Sequence, residues 1–376
     1  MAKANATEHL TQQLRQRIHS GQWPVGMRLP SVRQLCGESG VSINTVQRAL
    51  ARLAAERLIE SRQRRPSVVR AWRSRIVPLA SSAQAQIGVL VESRGRLPEP
   101  GRSWSGSILA SAKQALAHRR QELAPLAIPA RAATRQIIQT VRDARDQMLG
   151  LICFETHWSD ELIEELDQLG LPWTMINRPH RAWLHNFVTA NHFDAGSMLS
   201  RLFLDRGLTR ILVLGANMSQ SVMAIELITG MVHEFVAQAV PLNTLNYLTG
   251  ERVGLGMRDW AAREVTGYLR SHAPPQAIVC LGDWEALGAI DACQSAGLRV
   301  PQDIGVVGCT GLTFSARTTP ALTVLGQPIR RIGVEAVNMI LKMHREGRRR
   351  IPGTVLPTRL LMRGTLQLPE ADSSRA

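Results

Sequence analysis

Residues 28–50 gather side chains suited to one kind of chemistry. Arg33 lies in Leu29-Pro-Ser-Val-Arg33-Gln34, and Ser42-Ile-Asn44-Thr45-Val-Gln-Arg48 follows shortly after. Small polar residues in the first turn of a helix can reach base edges in a major groove, and the free amides of that turn favour phosphate. A second basic set, Arg62-Gln-Arg64-Arg65-Pro66, separates the β-type runs Leu58-Ile-Glu60 and Ser67-Val-Val69. That pattern predicts a hairpin with Arg64 and Arg65 near its tip, beside the polar helix. A capped helix with polar residues is usually a solvated surface. The ordered succession of helix, cap, second cap and basic hairpin favours double-stranded DNA as the partner, with Asn44, Thr45 and Arg48 on the outward face of the helix and Arg64 and Arg65 on the hairpin beside it.

The elements that must position these groups can be read locally. Leu10, Leu14 and Ile18 recur every four residues, predicting a helix over Thr7–Ser20 that stops at Gly21. Pro24 and Gly26 make a turn. Ser31 and Gln34 have capping-box spacing and start a short helix ending near Gly37–Gly40. Ser42 caps the next helix, in which Val46, Leu50 and Leu53 face inward and Asn44, Thr45 and Arg48 face out.

Charge agrees with this placement. The net charge is +15, and residues 1–75 carry 14 Lys and Arg against 4 Asp and Glu, so most of the excess lies beside the two-helix pattern. Lysine occurs only at Lys3, Lys113 and Lys342. Arginine suits bidentate contact with phosphate and guanine, although a compositionally biased genome produces the same count. The 44% hydrophobic and 20% charged content is that of a globular protein of 376 residues, long enough for two or three domains.

Other classes find little support. The five cysteines form no Cys-x-x-Cys pair and have no histidine at metal-ligand spacing, so reduced core thiols are expected, with no metal. Neither a signal peptide nor an apolar run of membrane-spanning length is seen, which gives a cytoplasmic expectation with no membrane partner. No dinucleotide fingerprint, Walker loop or nucleophile elbow occurs. A pyridoxal-type enzyme needs a Schiff-base lysine at a strand end, whereas Lys113 and Lys342 lie in helical patterns. The expectation is a non-enzyme without cofactor. The basic run Arg345–Arg350 reads as a solvated helix end.

After an aperiodic stretch, short apolar runs alternate with helical segments. Ile87–Val91, Leu123–Ile128, Leu149–Phe154 and Trp173–Ile176 read as buried strands, with helices at Ser107–His118, Thr134–Gln147 and Asp160–Gly170. A second series has strands at Ile211–Leu214, Ala277–Leu281 and Ile304–Val307, with helices near Ala195–Asp205, Leu227–Ala239, Met257–Ser271 and Trp284–Ala296. The fold class is α/β: a small α+β head, then two lobes built on parallel sheets, with any ligand in the cleft between them. The expected domains are 1–72, a linker at 73–86, and 87–368.

The head resembles a GntR-type winged helix-turn-helix. The matching residues are Leu14-x3-Ile18-x2-Gly21, Gly26-x-Arg28-Leu-Pro-Ser31-x-Arg33-x-Leu35 and Val41-Ser42-x-Asn44-Thr45-Val46. In that family the positions of Arg33, Ser42, Asn44 and Thr45 contact operator phosphates and bases, and the wing tip enters the minor groove. Ile43 and Gln47 stand where the family often has arginine, and Pro66 where its wing has glycine. The resemblance therefore implies the docking mode but not the operator sequence.

The body is similar to the LacI-type effector domain, related to periplasmic sugar-binding proteins. The similarity rests on Gly282-Asp283-Trp-Glu-Ala286-Leu-Gly288, Gly297-Leu-x-Val300-Pro-x-Asp303-Ile-x-Val-Val-Gly308, Pro320-x-Leu-Thr323 and Gln327-Pro-x4-Gly333. The combination resembles the arabinose-repressor class. It implies a homodimer whose operator affinity is set by a small-molecule effector, a carbohydrate among the candidates; the alternative is a ligand-independent DNA binder whose body only dimerises. Asn177, Asn191 and Gln327 match effector-contact positions, and Ser93 lies on the loop after the first strand. The family's usual arginine is Leu227 here, and its aspartate after the later strand is replaced in Gly308-Cys309-Thr310. Asp283 is retained, as a ligand contact or, more plainly, a helix cap. The loop bearing Arg94, Arg96, Arg102 and Trp104 reads as solvated, with closure over an anionic or ring-bearing ligand as the alternative.

Overall fold

The computed structural model describes residues 7, 9–11, 13–14, 17–18, 23, 26–55, 58–62, 65–69, 86–92, 97–117, 119, 121–129, 132–154, 159–178, 184–252 and 254–369. The expected linker, apart from Gln86, lies outside them, as do Ser93, Arg64, Arg94 and Arg96.

In the head, helix α1 spans Val32–Ser39 and α2 spans Ile43–Ala55. The expected capping box forms: the Gln34 amide donates to Ser31 Oγ, and the Gln34 side chain accepts from the Ser31 amide at 2.8 Å. Gly40 ends α1 in the left-handed region, at φ 67°, where a side chain would be strained. Strands β1 (Ile59–Arg62) and β2 (Arg65–Val69) pair antiparallel as the wing. Residues 26–29 add a third rung, because Gly26 N–H donates to Val69 O and Leu29 N–H to Ser67 O. Val46, Ala49, Leu50 and Leu53 pack on Leu10, Leu14 and Leu35, so one apolar face fixes the helices against the wing.

The body has two parallel-stranded layers. The first sheet uses β3 (Gln86–Glu92), β4 (Leu123–Ile128), β5 (Met148–Phe154), β6 (Trp173–Ile176), β7 (Phe187–Ala190) and β13 (Thr354–Leu356), in the order β13-β7-β6-β5-β3-β4. It is covered by α3 (Trp104–Leu116), α4 (Thr134–Ala144), α5 (Asp160–Leu169) and α10 (Ile329–Glu346). Along β3, Ile87, Val89 and Val91 enter one apolar cluster while Leu90 enters the opposite one, as a strand buried on both faces requires.

The second sheet is ordered β14-β12-β11-β10-β8-β9, from β8 (Ile211–Leu214), β9 (Leu245–Leu248), β10 (Ala277–Cys280), β11 (Gly305–Gly308), β12 (Thr323–Gly326) and β14 (Arg359–Leu361). Only the β12–β14 edge pair is antiparallel. Helices α6 (His192–Leu204) and α7 (Val222–Ala237) cover one face, α8 (Met257–Ser271) and α9 (Asp283–Ser295) the other.

The chain crosses between lobes three times: from β7 to α6, from β12 to α10, and from β13 to β14. Strand β13 and helix α10 thus complete the first lobe from the far end of the sequence. Several helices begin earlier than periodicity suggests, because a cap lies upstream of the first inward-facing residue. Ser103 Oγ accepts from Gly106 N–H at 3.0 Å to start α3, and Ser221 Oγ accepts from Ala224 N–H to start α7. Helix α4 ends at Ala144, and Arg145–Gln147 form a separate 3₁₀ turn.

Candidate functional site

The exposed edge of the head is the first candidate. Ser42 Oγ lies 2.9 Å from Thr45 Oγ1 and accepts from Thr45 N–H at 3.3 Å, holding the first turn of α2. Asn44 and Arg48 are exposed one turn apart, and Arg33 is exposed on α1. Neither α1 nor α2 has an acidic residue in its first turn, so the positive end of each helix dipole stays open to an anion. Ile43, 52% exposed, and Gln47 share this surface, so an apolar side chain and an amide stand where the resembled family often has arginine. Arg17 and Glu38, 2.8 Å apart, brace the first helical segment against α1. Arg65 belongs to β2, while Arg64 falls outside the described residues.

The second candidate is a cavity of about 450 Å³ between the lobes. Of the positions expected to contact ligand, Asn177, Asp283, Thr310 and Gln327 line it. Asn191 is not among the lining residues: its Oδ1 accepts from Asp194 N–H at 3.1 Å and caps α6. Asp283 neither caps α9 nor faces a ligand freely. Its carboxylate accepts from the backbone N–H groups of Thr310 (3.1 Å), Gly311 (2.9 Å) and Leu312 (2.6 Å), pinning the loop after β11. Burial raises its pKa, and those three amides pull it back down.

Contacts from both lobes span the cavity. Trp104 Nε1 donates to Gln327 Oε1 at 2.8 Å, and Gln327 Nε2 donates to Cys309 O at 3.0 Å. Trp284 Nε1 donates to Arg102 O at 2.9 Å, and its ring packs on Phe314 at 4.3 Å. Nearby, Arg178 Nε donates to Glu226 Oε1 at 2.7 Å, joining the end of β6 to α7, with the glutamate side chain only 2% exposed. Arg102 and Trp104, from the loop read as solvated, therefore take part in the cleft, and their side-chain chemistry was the signal available in sequence. Glu285, Met223 and Met257 also line it and went unnoticed, because helix periodicity accounts for them without a ligand. Leu227 lines a smaller adjoining cavity, where the family's arginine would stand.

That smaller cavity is bordered by His192, Gln327 and Thr358, one residue from each interlobe crossing. His192 is 3% exposed, and its Nε2 has no hydrogen-bond partner among the described residues. Burial first, and the Arg178 charge second, lower its pKa to about 3. Glu285 is 6% exposed, and burial raises its pKa. Cys153, Cys280, Cys293 and Cys309 are buried free thiols and Cys36 a half-buried one. Burial pushes the Cys280 and Cys309 thiols upward, away from the reactive thiolate. Among the described residues no helix is long and apolar enough to cross a membrane, and no cluster of His, Cys, Asp and Glu could hold a metal.

Comparison with known proteins agrees with this architecture. Residues 6–69 match the gntR family of bacterial regulatory proteins, and residues 201–366 match the periplasmic binding protein-like domain. The HTH-type transcriptional repressor PurR of Erwinia tasmaniensis is 29% identical over 211 residues, covering 53% of this chain, which spans only 57% of that relative's length. A lac repressor dimer bound to operator and an anti-inducer superposes with a TM-score of 0.64 at 21% identity, covering 77% of this chain and 96% of that one. The complex of the transcriptional regulator CelR with cellobiose gives a TM-score of 0.64 at 16% identity, covering 90% of this chain and all (100%) of that one. The chain carries a gntR-family helix-turn-helix domain followed by a two-lobed, periplasmic binding protein-like body.

Proposed function

We propose that this chain is a sequence-specific, DNA-binding transcriptional regulator, a repressor rather than an enzyme, whose operator affinity is set by a small molecule held between the lobes. The observation that carries this is the interlobe cavity, latched from both sides by Trp104–Gln327 and Trp284–Arg102, in the same chain as an exposed polar helix start. Its matched relative is named a repressor, and its structural neighbours include operator-bound and sugar-bound regulators. We place the head at residues 1–72, the linker at 73–85 and the sensor at 86–368, since Gln86 already pairs in the first sheet, in a cytoplasmic homodimer reading two half-sites of double-stranded operator DNA.

Arg33, Ser42, Asn44, Thr45 and Arg48, with Arg64 and Arg65 on the wing, make the DNA contacts. Asn177, Thr310 and Gln327 frame the effector, and Asp283 holds the loop that bears Thr310; Ser93 is kept as a further contact on its sequence alone, and Asn191 is assigned to capping α6. Ligand binding changes lobe closure and so the spacing of the paired heads; a coupling of about 1–3 kcal/mol is sufficient. The test is operator binding by fluorescence anisotropy across a salt series. Arg33→Ala should weaken binding at least about tenfold and flatten the salt dependence by about one counterion, with the melting transition of the body unchanged. Undiminished affinity in that variant refutes the docking. Operator affinity insensitive to every small molecule tried favours a body that only dimerises.

A further inference from the structure

The interlobe cavity has an unusual division between groups already engaged and groups left over. Asp283 spends its carboxylate on three backbone amides, and Gln327 spends its amide on Trp104, Cys309 and the Met223 sulfur. Two of the side chains best suited to holding the hydroxyls of a polyol are thus committed to the protein, which leaves Asn177 and Thr310 as the polar groups at that wall. Both indole N–H groups are committed too, to Gln327 and to the Arg102 carbonyl, so Trp104 and Trp284 can offer a ligand only their rings. Met223, Met257 and Leu281 extend this apolar wall.

One charge in the wall is uncommitted. Glu285 is buried and lines the cavity; its own backbone amide donates to it, the Arg252 charge favours its anion from further off, and among the described residues it forms no ion pair. Its carboxylate folds over Gly282, where a Cβ would come within 2.2 Å of Oε2, so the glycine is what lets the carboxylate lie at the strand end. Arg102, the cation at the rim, is 77% exposed and already 3.4 Å from Glu99, so its charge belongs to the solvent side. Two indole rings beside a buried carboxylate that has no ion-pair partner are the arrangement that selects an aromatic cation, through ring stacking, cation–π attraction and a charge-assisted hydrogen bond.

We infer that the effector is a flat, apolar ring carrying a protonated nitrogen, an arylalkylamine or arylamidine, with Glu285 as its counter-charge and Trp104 and Trp284 as its walls. This rests on the ligand-controlled function proposed above. The probes are tryptamine, phenethylamine and benzamidine, set against neutral indole, indole-3-acetate, D-ribose and D-glucose. Each is titrated into the full-length protein by calorimetry and thermal shift, with operator affinity measured in parallel.

At least one amine should raise the melting temperature by several degrees, while indole-3-acetate and the sugars should not. Glu285→Gln, which keeps the shape, should weaken that amine at least about tenfold, and Glu285→Asp should recover part of the loss. Binding of the acid or a sugar in preference to every amine overturns the inferred class while leaving ligand control intact. Equal amine affinity in Glu285→Gln overturns the role of Glu285. If no probe binds, the inference fails; if operator affinity is also indifferent to a broad metabolite panel, ligand control fails with it.

Discussion

His192 offers a measurement of how firmly the interlobe hinge is shut. It begins α6 immediately after the first crossing, is 3% exposed, and has an Nε2 with no partner among the described residues. Burial and the Arg178 charge bring its pKa down to about 3 in the folded chain, against about 6.5 when unfolded. The unfolded state therefore binds a proton that the native state refuses, so stability is lost as pH falls from about 6.5 towards 3. At pH 5 the difference amounts to about 2 kcal/mol, from about 1.5 pH units at 1.36 kcal/mol each. His192→Leu removes the titration and fills the same buried position with an apolar side chain. The melting temperature is measured at pH 7.5 and pH 5.0 for both proteins. Other titrating groups, Asp303 and His185 among them, are common to both and cancel in the comparison. The acid-induced fall should be smaller in the variant by about 2 kcal/mol, or roughly 4–8 °C for lobes of this size. An equal fall in the two proteins would show that the native histidine takes up the proton, and the closed, dry hinge would be refuted.

Other perturbations probe the helix contacts and the interlobe pair. Gly230→Ala places a Cβ 2.0 Å from the Phe193 carbonyl oxygen, where α6 and α7 cross; overpacking should cost about 1–3 kcal/mol, read as a lower melting temperature, whereas an unchanged value would mean the helices separate freely. Glu226→Gln leaves the Arg178 guanidinium without its counter-charge and should cost about 3 kcal/mol in urea unfolding, with Arg178→Met in the same background restoring part of it. Ser31→Ala removes the cap of α1 and should destabilise the head by about 1 kcal/mol, seen as faster amide exchange at Gln34 with no change in the body.

The head was legible because its logic is local. A cap, a glycine stop and a polar face each occupy a few consecutive residues, and the elements assembled from α1, α2, β1 and β2 follow that order. The central strands were legible for the same reason: β5, β8 and β10 are continuous apolar runs, buried along their whole length. Strands β7, β9, β12, β13 and β14 are three or four residues each and owe their existence to distant partners. Val355 in β13 pairs with Thr189, a register that no local pattern encodes. Periodicity likewise misplaced the starts of α3 and α7, since Ser103 and Ser221 act from outside the apolar repeat.

The cleft illustrates a deeper limit. Family resemblance directed attention to residue 227 and found leucine where an arginine was expected. The structure puts an acid one position earlier, and Glu226 there receives Arg178 from the other lobe. The same motif contains glycines that have nothing to do with ligand. A Cβ added at Gly230, Gly288 or Gly333 would stand 2.0, 2.1 or 2.3 Å from a neighbouring helix's carbonyl oxygen. They are where α7, α9 and α10 press on α6, α8 and α3. A position can therefore match a ligand-binding family and serve only packing, while the residues that face the cavity, Trp104 and Gln327, stand 223 apart in sequence. Three chain crossings bring them together. Because those crossings are also the hinge, any ligand that separates or tightens the Trp104–Gln327 and Trp284–Arg102 latches acts directly on the relative position of the lobes. The groups proposed to bind are therefore also the groups that join the lobes.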